Sequence, residues 1–183
     1  MSESALYRRL AWIAVLVGAL LRVAWYAANA SLWGDEATLA LNIVRRSFGG
    51  LLGRLDNDQS APVGFLLLEK AATLAFGNGE LALRLVPLAA GVLSLAVFPL
   101  LARRVLGHRA AFLATLLFAL SDPQVFYSVQ VKQYSMEVLV GLLFTLAALD
   151  LLQRGASAAR TAVLALAAAL GILFSSSLVF LMA

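Results

Sequence analysis

The sequence predicts an all-α polytopic membrane protein, and three observations carry that prediction. Mean hydropathy is +0.91, with 62% hydrophobic and 13% charged residues, a balance far from that of soluble domains. Several apolar runs approach the roughly 20 residues that a helix needs to cross a bilayer. The basic residues gather between those runs rather than across them. In a soluble chain a net charge of +4 and a pI near 10.0 would suggest nucleic acid; here the placement of the charges fits membrane topology and anionic lipid instead. Cysteine is absent, which excludes disulfides, thiol catalysis and thiolate metal sites.

Five spans are expected, at about 10–28, 81–102, 109–127, 134–152 and 161–183. The first follows Arg8 and Arg9 and is succeeded by Ala28-Asn29-Ala30, a superficial match to a signal-peptidase site. Its length and its internal Arg22 favour an uncleaved signal anchor. A sixth apolar segment, 62–77, is short, and its Glu69, Lys70 and Thr73 fall on one helical face opposite Phe65, Leu68, Ala72 and Phe76. Counting it as a span would put Arg103, Arg104, His108 and Arg109 across the membrane from Arg8 and Arg9, against the positive-inside bias. It therefore reads as a helix at the interface, as does 36–47, where Thr38, Asn42, Arg45 and Arg46 form one stripe. Gly49, Gly50, Gly53 and Asp56-Asn57-Asp58 mark a loop between these two helices. The expected topology has a cytoplasmic N-terminus, an outer loop over 29–80 and a second outer loop near 121–134. Phe174 to Ala183 ends inside an apolar run, so the chain reads as a single transmembrane module that is the N-terminal portion of a longer protein.

The polar residues without a topological role lie in the outer loops. They are Asp35 and Glu36, the loop acids Asp56 and Asp58, Gln59, Arg84, and the run Tyr127-Ser128-Val129-Gln130-Val131-Lys132-Gln133-Tyr134. A carboxylate can take a proton from an attacking hydroxyl, and lysine or arginine can neutralise a phosphate leaving group, so this is an inventory for displacement on a phosphorylated donor. Each residue also has a plainer reading. Asp35 and Glu36 could cap the helix that starts there, Arg84 and Lys132 could snorkel, Tyr127 and Tyr134 could belong to an aromatic belt, and Asp56 and Asp58 could be turn residues. The only histidine, His108, falls in a cytoplasmic loop, so a histidine-based site at the outer face is ruled out. Oxygen ligands leave room for a divalent cation, magnesium or manganese, on the outer carboxylates.

The order of these features resembles a family. A first span is followed by Leu32-Trp33-Gly34-Asp35-Glu36-Ala37, by Gln59-Ser60-Ala61-Pro62-Val63-Gly64-Phe65, by the run from Phe76 to Pro87 containing Arg84, and by Tyr127 to Tyr134. Together they resemble bacterial members of the dolichyl-phosphate-mannose protein mannosyltransferase superfamily, with lipid A aminoarabinose transferases as relatives. The resemblance implies a GT-C fold in the inner membrane. It also implies transfer of a sugar, with inversion, from a polyprenyl-phosphate donor to a protein, lipid or glycan acceptor at the extracytoplasmic face. Carried over to this chain, Asp35 is the catalytic base, Glu36 a second acid that positions acceptor or base, and Arg84, Lys132 and Tyr134 serve the donor phosphate. Many relatives have Glu and Arg where Gln130 and Lys132 stand, and two prolines where this chain has Ala61-Pro62. A lysine neutralises phosphate as a point charge without the bidentate fork of arginine. The rival class is a non-catalytic lipid-binding or transport subunit on the same scaffold, for which ionisable residues along the middle of several spans would be expected.

Overall fold

The computed structural model describes residues 2–182, and every regular element among them is helical. The first helix, α1 (Glu3–Ala27), starts at Ser2, whose hydroxyl accepts from the Ala5 N–H. Its outward residues, Trp12, Ile13, Leu16 and Leu20 among them, are large and exposed, as expected of a face meant for lipid. Two shorter helices follow, α2 (Gly34–Arg45) and α3 (Val63–Phe76), separated by a 3₁₀ turn at Gly49–Leu52. Gly77 ends α3 at φ 91°, a left-handed conformation that suits glycine. The short α4 (Glu80–Leu83) leads into α5 (Leu85–Val105), which packs against α1, α6 (His108–Leu120) and α8 (Tyr134–Arg154). Between the last two lies α7 (Asp122–Tyr127); α9 (Ala158–Phe174) packs on α8, and α10 (Leu178–Met182) closes the described chain.

Three helices, α1, α5 and α8, are long and apolar enough to cross a membrane. The expected run 109–127 is divided at Ser121, because Pro123 has no N–H to continue the ladder and starts a new helix well. The run 161–183 is likewise divided at Ser175. At 13 residues α6 rises about 20 Å, less than the hydrocarbon thickness of about 30 Å.

The face of α3 differs from the sequence expectation. Glu69, Lys70 and Thr73 point into the protein, while Leu68, Leu74 and Phe76 are exposed. The polar stripe turns inward, where Lys70 donates to the Val44 carbonyl at 3.0 Å and Thr73 to the Lys70 carbonyl at 2.9 Å. Glu69 is fully buried and finds no partner for either carboxylate oxygen among the described residues; burial pushes its carboxyl well above the usual range, which favours the neutral acid.

Two cores hold the bundle by different means. The larger joins Leu39 and Ile43 of α2, Leu51, Leu55, Phe65 and Leu66 to Leu83, Val131 and Leu139. It is shared by α2, α3 and the helices they pack on, and each large side chain buried from water contributes roughly 1.5–3 kcal/mol. The smaller consists of Ala14, Leu95 and Ala119. Within lipid the hydrophobic effect gives little, and close approach of small residues takes over. A Cβ on Gly18 would lie 2.9 Å from the Cβ of Ala119. One turn further along α1, the buried Arg22 donates to the carbonyls of Gly18 at 2.9 Å and Ala119 at 3.1 Å. The second of these carbonyls is freed where α6 ends, so Arg22 serves as its cap.

Arg103 and Arg104 near the end of α5, Arg109 at the start of α6 and Arg154 at the end of α8 collect at one end of the bundle. Arg104 pairs with Asp150 at 3.2 Å, tying the C-terminal ends of α5 and α8, and Tyr7 of α1 approaches Phe112 of α6 with ring centroids 6.1 Å apart. The opposite end carries the start of α5, the end of α1, and α2. Close packing between α3 and α9 gives a test of the fold. A Cβ at Gly64 would sit 2.7 Å from the Leu173 carbonyl, so Gly64→Ala should destabilise by about 1–3 kcal/mol. Gly49→Ala, with open space around it, should change stability by under about 0.5 kcal/mol; thermal melting in detergent measures both.

Candidate functional site

The site begins with helix geometry. Asp35 and Glu36 occupy the first turn of α2, where the exposed N–H groups favour carboxylates. Adjacent helical residues point about 100° apart, so the two acids reach different partners. Asp35 turns sideways. Its Oδ2 lies 2.8 Å from Lys132 Nζ, its Oδ1 accepts from Gln59 Nε2 at 3.0 Å, and Lys132 in turn donates to Gln59 Oε1 at 3.0 Å. The three side chains form a closed ring. Hydrogen bonds from Lys132 and Gln59 hold the Asp35 carboxyl below the usual aspartate range, outweighing a small opposing effect of burial.

Glu36 turns inward and is completely buried. Its Oε1 accepts from the Val131 backbone N–H at 2.7 Å; its Oε2 accepts from Arg84 Nη2 at 3.3 Å and, reaching back along the helix, from the Trp33 N–H at 3.4 Å. The last contact is half of a capping box, so the capping reading holds for Glu36 in addition to its ionic role. Arg84 sits at the junction of α4 and α5 and also donates through Nη1 to the Ala30 carbonyl. Only its Nε lacks a partner among the described residues.

These contacts bring four of the five expected site residues together, Asp35, Glu36, Arg84 and Lys132. Arg84 and Lys132 do not snorkel: their side chains are 4% and 8% exposed, while that of Asp35 is 40% exposed. Of this charged cluster Asp35 is the most exposed side chain. The loop 128–132 is almost wholly buried, with Val131 in the main core, because its backbone donates to Glu36 and Gln130 accepts from Trp33 Nε1 at 2.7 Å. Tyr134 is set apart. It meets Tyr127 edge to face, ring centroids 4.7 Å apart, and lines a separate cavity.

A cavity of about 730 Å³ opens beside the cluster. Its walls include Trp25, Trp33, Phe126 and Val129, with Glu36, Arg84 and Gln130 as its polar edge. Such a shape, apolar with a few converging polar groups, is that of a ligand site. The loop acids behave as turn residues: Asp56 pairs with Arg46 at 2.7 Å and Asp58 with Arg54 at 2.8 Å, and Asn57 and Asp58 have positive φ. As for a metal, no three acids or histidines gather among the described residues, and both carboxylates of the Asp-Glu pair are already engaged by cations or N–H donors. The arrangement does not fit a divalent cation without first losing those bonds. Gln59 and Gln130 are the site residues to which the sequence reading gave no role; both stand in the runs it singled out.

Glu36 and Arg84 form a buried pair whose disruption is costly. Replacing Glu36 by Gln strands the Arg84 charge, and a loss of about 3–5 kcal/mol is expected. The double variant Glu36→Gln with Arg84→Met should lose less than the sum of the two single changes, as chemical or thermal unfolding in detergent can measure.

Comparison with known proteins yields one result. Neither a search of curated proteins nor one of solved structures finds a match. The sequence model of the family described as dolichyl-phosphate-mannose-protein mannosyltransferase matches residues 59–183, a stretch that includes Gln59, Arg84, Lys132 and Tyr134 and begins after the Asp-Glu pair. The match covers more than half of the chain, and the chain belongs to this membrane glycosyltransferase family.

Proposed function

We propose that the chain forms the donor-side part of a site that moves a sugar from a polyprenyl phosphate to a hydroxyl of a protein, lipid or glycan acceptor. The observation that carries this reading is Asp35, the partly exposed carboxylate of a buried charged cluster, held 2.8 Å from Lys132, in a cluster whose Glu36 and Arg84 edge a largely apolar cavity. The acceptor O–H gives its proton to Asp35 while its oxygen bonds to the anomeric carbon. The bond from that carbon to the phosphate oxygen breaks on the opposite face, so configuration inverts and the electron pair leaves with the phosphate. Lys132 has an N–H left after its bonds to Asp35 and Gln59, and it neutralises the departing phosphate. Arg84 adds positive potential and a free Nε, and Tyr134 lies two residues beyond Lys132. Glu36, with no exposed surface, is a positioning residue.

The apolar cavity suits an isoprenoid chain, whose phosphate would then meet Arg84 and Lys132 at the level of the juxtamembrane helices. The basic end of the bundle lies opposite, and the positive-inside bias supports an extracytoplasmic site in the inner membrane with the N-terminus in the cytoplasm. The transport alternative has less support. Arg22, the ionisable residue buried in α1, is tied to backbone carbonyls, as a structural residue would be.

Asp35→Asn keeps the shape and removes the base. Sugar transfer by the full-length protein should fall by about 10²–10⁴-fold, and an unchanged rate with a natural acceptor would rule out this role. The acid limb of kcat/KM against pH tests the cluster. Because Gln59 helps to hold the Asp35 carboxyl low, Gln59→Ala should raise its pKa; activity should then be lost at a higher pH as the solution is acidified.

A further inference from the structure

We propose that the cavity between α8 and α10 is a lipid site apart from the charged cluster, one that holds the headgroup of an ethanolamine phospholipid. It measures about 600 Å³, and none of Asp35, Glu36, Arg84 and Lys132 lines it. It starts at the first turn of α8 and follows one helical face, because Tyr134, Glu137, Val138 and Gly141 stand at i, i+3, i+4 and i+7. The helix is long and apolar enough to cross a bilayer, and its other end carries Arg154 among the basic residues. With α8 as a span, the cavity begins at one membrane boundary and descends toward the hydrocarbon.

The rim has the chemistry of a cation site. Glu137 pairs with no lysine or arginine among the described residues; Ser177 donates to its Oε2 at 3.1 Å, and Oε1 is left to accept from a ligand. Beside it Tyr127 and Tyr134 meet edge to face, ring centroids 4.7 Å apart, each about two-fifths exposed. A primary ammonium suits both features at once: it gives N–H donors to the carboxylate and rests against the electron-rich face of a phenol ring. The phosphate diester attached to that ammonium needs donors in turn. The two phenol hydroxyls, which have no hydrogen-bond partner among the described residues, supply them.

The deeper part suits an acyl chain. Val138, Leu142 and Leu181 wall it, and Gly141 keeps the floor open, since a Cβ there would already meet Leu181 Cδ1 at 3.3 Å. Glu137 and Gly141 are about one helical turn apart, a rise of about 6 Å, so the apolar floor lies below the charged rim as acyl carbons lie below a headgroup. Neighbouring residues on both helices are apolar and open: Phe180 is 84% exposed, and Val179 and Leu143 are about half exposed. An occupant reaches such a place from the bilayer rather than from water. Among bilayer lipids the headgroup decides. Choline has no N–H for Glu137, and a glycerol headgroup leaves the net negative charge of its lipid facing a carboxylate.

The test uses the full-length protein in detergent, stripped of lipid and titrated with dioleoyl phosphatidylethanolamine, its N-methyl and N,N-dimethyl derivatives, phosphatidylcholine and phosphatidylglycerol, with bound lipid counted by native mass spectrometry. The first ethanolamine lipid should bind about tenfold more tightly than the choline or glycerol lipid, and affinity should fall with each added methyl group. Glu137→Gln should flatten that series, Gly141→Leu should weaken the ethanolamine lipid about tenfold by filling the floor, and Asp35→Asn should leave the series unchanged. A wild type with no preference for the ethanolamine lipid overturns the proposal, as does a preference that survives in both Glu137→Gln and Gly141→Leu. Tighter binding of the glycerol lipid overturns it as well, since a cationic site elsewhere would then govern. The wild-type series decides by itself if a variant fails to fold, and lipid binding is read without turnover, so its failure is separable from failure of Asp35 as the base.

Discussion

The arrangement depends on a buried carboxylate. Glu36 gathers Arg84 from the start of α5, Val131 from the loop before α8, and Trp33 from its own helix start, and all of these meet on two oxygens. Segments 95 residues apart in sequence are fixed against one another by one of these bonds. A buried charge pair of this kind contributes little net stability compared with an apolar replacement, yet leaving one partner alone is severe. What it supplies is register. With Val131 fixed, Lys132 follows on the next residue and is delivered to Asp35.

The two neighbouring acids thus divide their work by geometry. An angular step of about 100° sends one carboxylate into the protein and leaves the other partly open. Burial commits both oxygens of Glu36 to the fold, while the side chain of Asp35 stays 40% exposed. Gln59 then completes the ring with Lys132, coupling the start of the family match to a helix that precedes it.

Much of this was legible in the sequence. Asp35, Glu36, Arg84 and Lys132 stood out as charges without a topological role, and the structure brings them into one cluster. The helices at 34–45 and 63–76 also lie close to the expected bounds. The inward face of α3 was not legible, because amphipathic periodicity does not say which side meets lipid. Glu69, Lys70 and Thr73 read as a solvated stripe only if water is assumed outside. Tyr134 was assigned to the donor by resemblance; in the structure it packs edge to face on Tyr127 at the start of α8. The breaks at Ser121 and Ser175 were hidden inside runs whose apolar character continues across them.

Arg22 has a consequence for biogenesis. Its side chain folds back along α1 to Gly18 rather than reaching for the near interface, and its other partner, Ala119, lies 97 residues later in the chain. When α1 first enters the bilayer during synthesis, the carbonyl that will receive the guanidinium has not yet been made. An arginine within a span costs up to roughly 3 kcal/mol to insert, so α1 enters as a strained newcomer held by its surrounding apolar residues. Arrival of α6 relieves that burden, and the first helix acquires its final seat only when α6 is in place.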